Sequence, residues 1–130
     1  MADANVVVLV VEDEPLVRMA IVDHLEDQGF TVLEASNADE AVAILIDNLD
    51  IRIMFTDVDM PGGMDGLKLA AAVRDRWPPI KIVVTSGQRA VTLGELPSEA
   101  QFFSKPYNVD TITAAFRALA EDLQAGAARD

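Results

Sequence analysis

Five short apolar segments alternate with longer segments of helical periodicity, and this alternation limits the folds that are open to the chain. The apolar segments cover residues 6–11, 31–34, 51–56, 80–84 and 101–103. Three of them are nearly unbroken β-branched runs, which are typical of strands covered on both faces. Strands that alternate with helices favour right-handed crossovers and a parallel sheet. We therefore predict an α/β fold with a doubly wound, five-stranded parallel sheet.

Capping residues and apolar periodicity locate four helices. They are predicted to begin near Glu14 and Pro15, at Ser36 or Asn37, near Gly66 and near Asn108, and the first and third end at Gly29 and Trp77. Proline is favoured at the first helical position, and glycine commonly follows the last. The residues expected to face the core are Leu16, Met19, Ala20 and Leu25 on the first helix, Ala38, Val42, Leu45 and Ile46 on the second, Leu67, Ala70, Val73 and Trp77 on the third, and Ile112, Ala115, Phe116, Leu119 and Leu123 on the last.

The stretch between the fourth and fifth strands is where the alternation requires one more helix. Gly94 and Pro97 interrupt it, and such residues cost about 1 and 3 kcal/mol in a helix interior. We therefore expect a short or frayed fourth helix. No repeat or second domain is evident, so residues 1–130 are predicted to form one domain, with an ordered core over about 5–124 and a tail over 125–130.

The chain is strongly acidic, with 22 Asp and Glu against 10 Lys and Arg and a net charge of -12. This charge repels nucleic acids and anionic membranes, and no basic patch offsets it. The chain has no cysteine and only His24, which excludes disulfides, thiolate catalysis and multi-histidine metal sites. Its N-terminal apolar run lacks the length of a membrane span and the basic flank of a signal peptide. We expect no nucleic-acid or membrane partner and a cytoplasmic location.

Acidic residues follow two of the predicted strands. Glu12 and Asp13 follow the first, and Asp57 and Asp59 end the third. If the strand order is 2-1-3-4-5, ligands bind beyond the carboxyl ends of the first and third strands, where the order reverses. Unit charges about 4 Å apart repel by about 4 kcal/mol at an effective dielectric constant near 20, so the cluster needs protons or a cation. Oxygen ligands of this kind favour Mg²⁺.

Two further strand ends carry complementary groups. The fourth strand ends in the hydroxyl residues Thr85 and Ser86, and Lys105 follows the fifth. A carboxylate nucleophile, a hard cation, a hydroxyl and an ammonium group are what capture of a phosphoryl group on aspartate requires. We therefore interpret Asp57 as a phosphoryl acceptor.

Four motifs, in this order and spread over almost the whole chain, resemble the receiver domain of bacterial two-component response regulators: VVEDEPLVR, MFTDVDMPGGMDG, VVTSG and FFSKPY. The resemblance implies a flavodoxin-like, stand-alone receiver that is a signalling protein and not an enzyme of multiple turnover. Such a protein takes a phosphoryl group from a histidine kinase or phosphotransfer protein and loses it slowly. Its surface change is read by an unknown downstream protein, or it serves as an intermediate or sink in a phosphorelay.

The resemblance also assigns the acceptor and the metal ligands. Asp57 matches the residue that takes the phosphoryl group. Glu12 and Asp13 match the acidic pair that holds Mg²⁺, together with Asp57 and the backbone carbonyl of Asp59. Glu12 stands where aspartate is commoner, and it should reach the metal through water. The Asp59 side chain is expected near the phosphoryl group, where it can tune hydrolysis.

The same resemblance assigns a switch. Thr85 matches the hydroxyl that turns toward the phosphoryl group, and Lys105 matches the lysine that pairs with it, through a cis bond to Pro106. Phe102 falls at the aromatic switch position, three residues before Lys105. The shortened region around Gly94 alters a surface that the family often uses for dimers, so a homodimer stays open.

Two other functions stay open from the sequence. The pair Asp57 and Asp59 resembles the nucleophile motif of haloacid-dehalogenase-type phosphatases, which also use Mg²⁺, a hydroxyl residue and a lysine. Against this class, the nucleophile ends the third strand and not the first, and no cap insertion is present. Turnover of small phosphate esters would favour the phosphatase, and retention of one phosphoryl group would favour the receiver. An adaptor that is not phosphorylated is the third class, but the chain keeps the whole set of chemical groups.

Overall fold

The structure is a computed structural model of the chain, and it describes residues 6–60, 65–87, 93–97 and 99–129. In chain order the elements are β1 (Val7–Val11), α1 (Pro15–Asp27), β2 (Thr31–Ala35), α2 (Ala38–Asp47), β3 (Ile51–Asp57), α3 (Gly66–Arg76), β4 (Lys81–Ser86), a 3₁₀ turn (Leu93–Glu95), β5 (Gln101–Ser104) and α4 (Val109–Arg129). All strand pairs are parallel, and the order is β2-β1-β3-β4-β5. The predicted fold class and strand order are confirmed.

Side-chain caps begin two of the helices where the sequence predicts them. Asn37 Oδ1 accepts a hydrogen bond of 2.8 Å from the Glu40 backbone N–H at the start of α2. Asp65 Oδ1 accepts one of 2.9 Å from Lys68 N–H at the start of α3. These bonds satisfy backbone donors that have no partner within the first helical turn. Each cap fixes where the chain leaves the carboxyl edge of the sheet.

Gly29 ends the region of α1 with a left-handed backbone, at a φ of 97°. Its N–H donates to the carbonyl of Glu26, and the next N–H, from Phe30, donates back to Leu25. Glycine adopts this conformation without the steric cost that a Cβ imposes. The predicted stop at residue 29 is therefore confirmed by backbone geometry.

The sheet has a hydrophobic cluster on each face. One cluster joins β1, β3 and β4 to α2 and α3, and its largest fully buried side chains include Leu9, Leu45, Met54, Leu69 and Ile82. The other joins the sheet to α1 and α4, and its members include Ile21, Leu25, Phe55, Ile112 and Phe116. The side chains of β1, β3 and β4 are buried on both faces, which explains their unbroken apolar sequences.

The predicted inner faces of two helices are partly wrong. On α1, Leu16 is 80% exposed, Met19 is 54% exposed and Ala20 is also exposed, whereas Ile21, Val22 and Leu25 are buried. On α2, Ile46 is 51% exposed, and the buried stripe is Ala38, Ala41 and Leu45. Neighbouring residues on a helix point about 100° apart, so an error of one position turns an apolar residue outward. Both helices carry apolar residues on more than one face, and packing decides which face is buried.

The inner residues of the other two helices are close to the prediction. Leu67, Ala70 and Val73 are buried on α3, and Trp77 is half-buried beside them. On α4, Ile112, Phe116 and Leu119 are buried and Ala115 and Leu123 are half-buried. The last helix continues through residues 125–129, where we expected a tail.

The connection between β4 and β5 contains only a 3₁₀ turn, Leu93–Glu95, in its described part. Residues 88–92 and 98, where the rest of the short fourth helix is predicted, lie outside the described residues. Within the part of the chain that the structure describes, no helix is long and apolar enough to cross a membrane.

Candidate functional site

The sheet topology brings the predicted site residues to one edge. β1 lies between β2 and β3, and β4 lies beside β3, so the carboxyl ends of β1, β3 and β4 are neighbours. Asp57 ends β3 and pairs in register with Thr85 of β4. Glu12 and Asp13 follow Val11, the last residue of β1. This is the switch point at which open parallel sheets bind ligands.

Three carboxylates meet there. Glu12, Asp13 and Asp57 each offer an oxygen, and these three oxygens lie within 4.8 Å of one another. Glu12 is fully buried and Asp57 is 2% exposed, while Asp13 is half-buried. Glu12 Oε2 accepts a hydrogen bond of 3.2 Å from the Glu14 backbone N–H. Glu12 Oε1 makes no hydrogen bond with the described residues, so a buried acceptor points into the cluster.

Lys105 supplies the positive charge of the cluster. Its Nζ donates a hydrogen bond of 3.0 Å to Asp57 Oδ2 and lies 3.6 Å from Glu12 Oε1, an ion-pair distance. The backbone holds Lys105 in place, because its N–H donates a hydrogen bond to the Ser86 carbonyl. Its peptide bond to Pro106 is cis, as predicted. Gly87 lies against the stem of the lysine, since a Cβ at residue 87 would be 3.0 Å from Lys105 Cβ.

Burial and mutual charge shift the protonation of the cluster. Burial, with the Asp57 charge in support, raises the pKa of Glu12 to about 7 against the opposing Glu14 hydrogen bond and Lys105 charge. Burial also raises the pKa of Asp57, although the hydrogen bond from Lys105 opposes it. For Lys105, burial favours the neutral amine, but the hydrogen bond and charge of Asp57 prevail and raise its pKa. The lysine therefore stays charged, and Glu12 and Asp57, with their raised pKa, hold a proton more readily than solvated carboxyls do.

Two hydroxyl residues end β4 beside the acceptor. The Thr85 side chain is fully buried, and its Oγ1 makes no hydrogen bond with the described residues. Ser86 Oγ donates a hydrogen bond of 3.0 Å to Asp59 Oδ2. The Asp59 backbone N–H in turn donates to Asp57 Oδ1 at 3.2 Å. Among the described residues the Thr85 hydroxyl thus has no hydrogen-bond partner, and it lies on the strand next to Asp57.

Phe102 and Phe103 point to opposite faces of the sheet. Phe102 is half-buried and packs against the cluster that includes α2 and α3, and Phe103 packs against the other cluster. Phe102 pairs in register with Val84, the residue before Thr85. Phe102, the predicted switch residue, thus lies on the strand next to Thr85 and is offset from it by one position in the register.

The structure adds two residues that the sequence interpretation missed. Gly66, at the start of α3, leaves no room for a side chain, since a Cβ there would be 2.0 Å from the carbonyl oxygen of Asp57. Arg18, on α1, donates a hydrogen bond of 2.7 Å to the carbonyl oxygen of Glu12. Glycine at a helix start and arginine in the VVEDEPLVR motif are the only sequence signals, and neither specifies a contact.

A divalent cation fits the donors that the structure brings together. All donors of the cluster are carboxylate oxygens, which suit a hard ion such as Mg²⁺. The buried Glu12 Oε1, which makes no hydrogen bond with the described residues, could serve as a ligand or accept a hydrogen bond from an ion's water. Lys105 neutralises only part of the charge of three acids. The cluster could therefore hold a cation beside the buried Asp57 carboxylate.

Comparison with known proteins gives one consistent result. Residues 8–117 match the response regulator receiver domain family. The chain is 35% identical over 118 residues to the sensor kinase CckA of Brucella abortus, covering 88% of the chain and 12% of the kinase. It is 32% identical over 119 residues to the transcriptional regulatory protein TcrA of Mycobacterium tuberculosis, covering 89% of the chain and 46% of the regulator. The chain thus spans less than half the length of either relative.

Solved structures agree with the sequence comparison. The receiver domain from hybrid histidine kinase CckA matches with a TM-score of 0.75 and 29% identity, over 88% of the chain and 98% of that structure. A probable two-component response regulator with a GGDEF domain matches with a TM-score of 0.82 and 26% identity, over 94% of the chain and 52% of that structure. The motifs, the strand order and these matches agree, and the chain belongs to the response regulator receiver domain family.

Proposed function

We propose that the protein accepts a phosphoryl group on Asp57 in a Mg²⁺-dependent reaction and thereby switches its surface. The observation that carries the proposal is the hydrogen bond of 3.0 Å between Lys105 Nζ and Asp57 Oδ2 inside a buried cluster of three acids. Asp57 is buried and in contact with an ammonium group, and the Thr85 hydroxyl on the next strand has no hydrogen-bond partner among the described residues. This arrangement suits phosphoryl transfer, in which positioning and charge stabilisation do most of the catalysis.

The reaction is a displacement at phosphorus. A carboxylate oxygen of Asp57 attacks the phosphorus atom of a phosphohistidine, the P–N bond breaks, and its electron pair and a proton from solvent restore the neutral imidazole. The product is an acyl phosphate. Hydrolysis later breaks its P–O bond when water attacks phosphorus, which returns the Asp57 carboxylate and releases inorganic phosphate.

The residues of the chain divide the work of binding and charge stabilisation. Glu12, Asp13, Asp57 and the backbone carbonyl of Asp59 would hold Mg²⁺. The ion supplies charge neutralisation for the phosphoryl oxygens when bound. Lys105 Nζ, which now donates to the Asp57 carboxylate, would donate to a phosphoryl oxygen instead. The Thr85 hydroxyl, which makes no hydrogen bond with the described residues, would gain one.

The different changes at Lys105 and Thr85 determine how far phosphorylation can shift the conformational equilibrium. Moving a two-state equilibrium from 1:99 to 99:1 takes about 5.5 kcal/mol, and a hydrogen bond to a charged group contributes about 1.5–3 kcal/mol. Thr85 makes a new bond, but Lys105 exchanges one anion for another. The new Thr85 bond would thus be the larger local bias. The pairing of Phe102 with Val84, the residue before Thr85, supports a response of this aromatic side chain to it.

The phosphoryl donor is a sensor histidine kinase or a histidine phosphotransfer protein. A second protein binds the surface that changes on phosphorylation. In support, the relatives include a sensor kinase and a transcriptional regulatory protein that are longer than the chain. Membership in the receiver family favours this function over a haloacid-dehalogenase-type phosphatase. The acidic charge of the chain favours protein partners over nucleic acid.

The test is covalent capture of a phosphoryl group from a small donor. The purified chain is incubated with acetyl phosphate, with Mg²⁺ or with EDTA, and the intact mass is followed over time. We expect a gain of one phosphoryl group that requires Mg²⁺ and is lost in Asp57→Asn, because the amide cannot form the acyl phosphate. The matched control is Asp23→Asn, an exposed change on α1 that removes one carboxyl far from the site and should leave the adduct in place.

The decay of the adduct after the donor is removed distinguishes a lasting signal from a sink. An adduct that forms equally in Asp57→Asn, or none in the wild-type chain with Mg²⁺ bound and the fold intact, would show that Asp57 is not the acceptor. The second result would favour an adaptor that is not phosphorylated.

A further inference from the structure

An arginine next to the acidic cluster holds the main chain of Glu12. Arg18 Nη1 donates a hydrogen bond of 2.7 Å to the Glu12 carbonyl oxygen, and Arg18 Nε donates one of 3.1 Å to Glu34 Oε1 on β2. The Arg18 side chain is only 19% exposed. One guanidinium therefore connects α1, β2 and the turn that follows β1. Because the donor is charged, these bonds are stronger than bonds between neutral groups.

The peptide group that Arg18 contacts is the one that joins two of the proposed metal ligands. The Glu12 carbonyl belongs to the planar unit that continues into the Asp13 nitrogen. On the other side of Glu12, its own N–H donates a hydrogen bond of 3.0 Å to the Ala35 carbonyl at the end of β2. The backbone is thus held on both sides of Glu12. The contact with Arg18 fixes the plane that sets how the Glu12 and Asp13 side chains leave the main chain.

We propose that Arg18 is a positioning residue for the divalent cation, acting through the Glu12–Asp13 peptide group. The inference rests on the proposed function, because it assumes that Glu12 and Asp13 bind Mg²⁺. Residues that orient metal ligands commonly change metal affinity by about 10–100-fold when they are lost. Glu34 has a supporting role, since its carboxylate holds the second arm of the same guanidinium.

Charge and geometry predict opposite effects for loss of this arginine. A guanidinium near a cation site repels the cation, so removal of the charge alone would strengthen Mg²⁺ binding. Removal of a positioning contact would weaken it, because the two carboxylates would have to be ordered when the ion binds. The sign of the change in Mg²⁺ affinity therefore separates the two roles, and a change in stability alone would not produce it.

The test is a titration of the full chain with MgCl₂ at constant ionic strength, followed by NMR chemical shifts. We expect Arg18→Met, which keeps the apolar stem, to raise the Mg²⁺ dissociation constant about tenfold. The matched control is Arg52→Met. Arg52 also donates to backbone carbonyls, those of Leu49 and Ile51, but at the other end of β3, and its loss changes the net charge equally. We expect Arg52→Met to leave the dissociation constant unchanged.

A conservative variant keeps the test decisive if Arg18→Met does not fold. Arg18→Lys retains the charge, but an ammonium lacks the planar fork that serves both oxygens. We expect its dissociation constant to lie between those of the wild type and Arg18→Met.

The outcomes separate this inference from the function on which it rests. Tighter or unchanged Mg²⁺ binding in Arg18→Met and Arg18→Lys, beside a wild type that binds the ion, would overturn the positioning role and leave the proposed function standing. A wild type that does not bind Mg²⁺ would overturn both. If Arg52→Met weakened Mg²⁺ binding as much as Arg18→Met does, the positioning role of Arg18 would also be overturned, because the effect would then not be local.

Discussion

At the scale of single residues, the surroundings of Glu12 oppose its negative charge. Its side chain is fully buried beside Asp57, and burial is the first cause that raises its pKa to about 7. Lys105 lies 3.6 Å from Glu12 Oε1 but is bonded to Asp57, so it offsets only part of the penalty. The site thus contains an acid that is easily protonated in the folded state and more acidic in the unfolded chain.

This difference links Glu12 to the pH dependence of stability without Mg²⁺. The folded state keeps the proton that the unfolded chain releases between pH 4.5 and about 7, so the stabilising effect of the proton is full below pH 4.5 and is lost as pH rises through 7. At about 1.4 kcal/mol for each pH unit, the loss amounts to about 3 kcal/mol. We expect Glu12→Gln to remove this dependence and to be the more stable protein above pH 7.

Urea unfolding in EDTA, at several pH values from 4 to 8, measures the effect. The quantity to compare is the free energy of unfolding of the wild type minus that of Glu12→Gln, because other groups also titrate in this range. Glu26→Gln, an exposed change on α1, is the control for loss of a carboxyl group. Parallel pH curves for the wild type and Glu12→Gln would contradict the expectation.

At the scale of elements, the start of α3 is packed directly on the end of β3. Gly66 N–H donates a hydrogen bond of 3.1 Å to the carbonyl of Val58, and Gly66 itself faces the Asp57 carbonyl. A Cβ at this position would be 2.0 Å from the Asp57 carbonyl oxygen and 2.8 Å from Val58 Cα. The contacts are backbone atoms, which cannot rotate away as a side chain can. Helix and strand are therefore close enough here that only glycine fits.

We expect Gly66→Ala to destabilise the fold by about 1–3 kcal/mol, as overpacking of a closely packed site does, and to slow phosphorylation of Asp57. Alanine ordinarily favours a helix over glycine, so the direction is opposite to that of helix propensity. Urea unfolding and the acetyl phosphate mass assay measure the two effects. Lys68→Ala, an exposed change in the same helical turn, should alter neither. A Gly66→Ala variant as stable and as reactive as the wild type would disprove the close contact.

At the scale of the whole molecule, the proposed cation site can form only when the sheet is formed. Its carboxylates come from the ends of β1 and β3, which become neighbours through the strand order and not through the sequence. An ion that binds there binds the folded chain and not the unfolded one. Binding should therefore stabilise the fold by mass action, and it should also relieve the repulsion among three acids.

We expect MgCl₂ at about 100 times its dissociation constant to raise the free energy of unfolding by about 2.7 kcal/mol. Asp13→Asn should abolish most of this gain, because a ligand is lost while the fold keeps its shape. Thermal or urea unfolding with MgCl₂, against NaCl of equal ionic strength, measures the gain. Asp23→Asn, an exposed change on α1, should keep it. An equal gain in Asp13→Asn would place the ion elsewhere.

Much of this protein could be predicted from the sequence because its signals are local. Strand periodicity, Pro15 and Gly29 at the ends of α1, and acids at strand ends specify the elements and the site without knowledge of any contact. The strand-order rule then brings together Glu12, Asp13 and Asp57, as the structure confirms. Polar and charged side chains at the carboxyl ends of parallel strands are therefore the most predictable part of such a fold.

Contacts between elements that are distant in sequence were decided only by the tertiary structure. The sequence could not specify which face of α1 is buried, because Leu16 and Met19 are as apolar as Ile21 and Val22 and only packing distinguishes them. The contacts of Arg18 with the Glu12 carbonyl and of Ser86 with Asp59 depend on side-chain geometry across neighbouring elements. The sequence by itself determined the alternation of strands and helices and the chemical groups at the strand ends, since both depend only on residues that are adjacent in the chain. The burial of Glu12, its raised pKa and the close backbone contact at Gly66 arise only when strands and helices pack side by side.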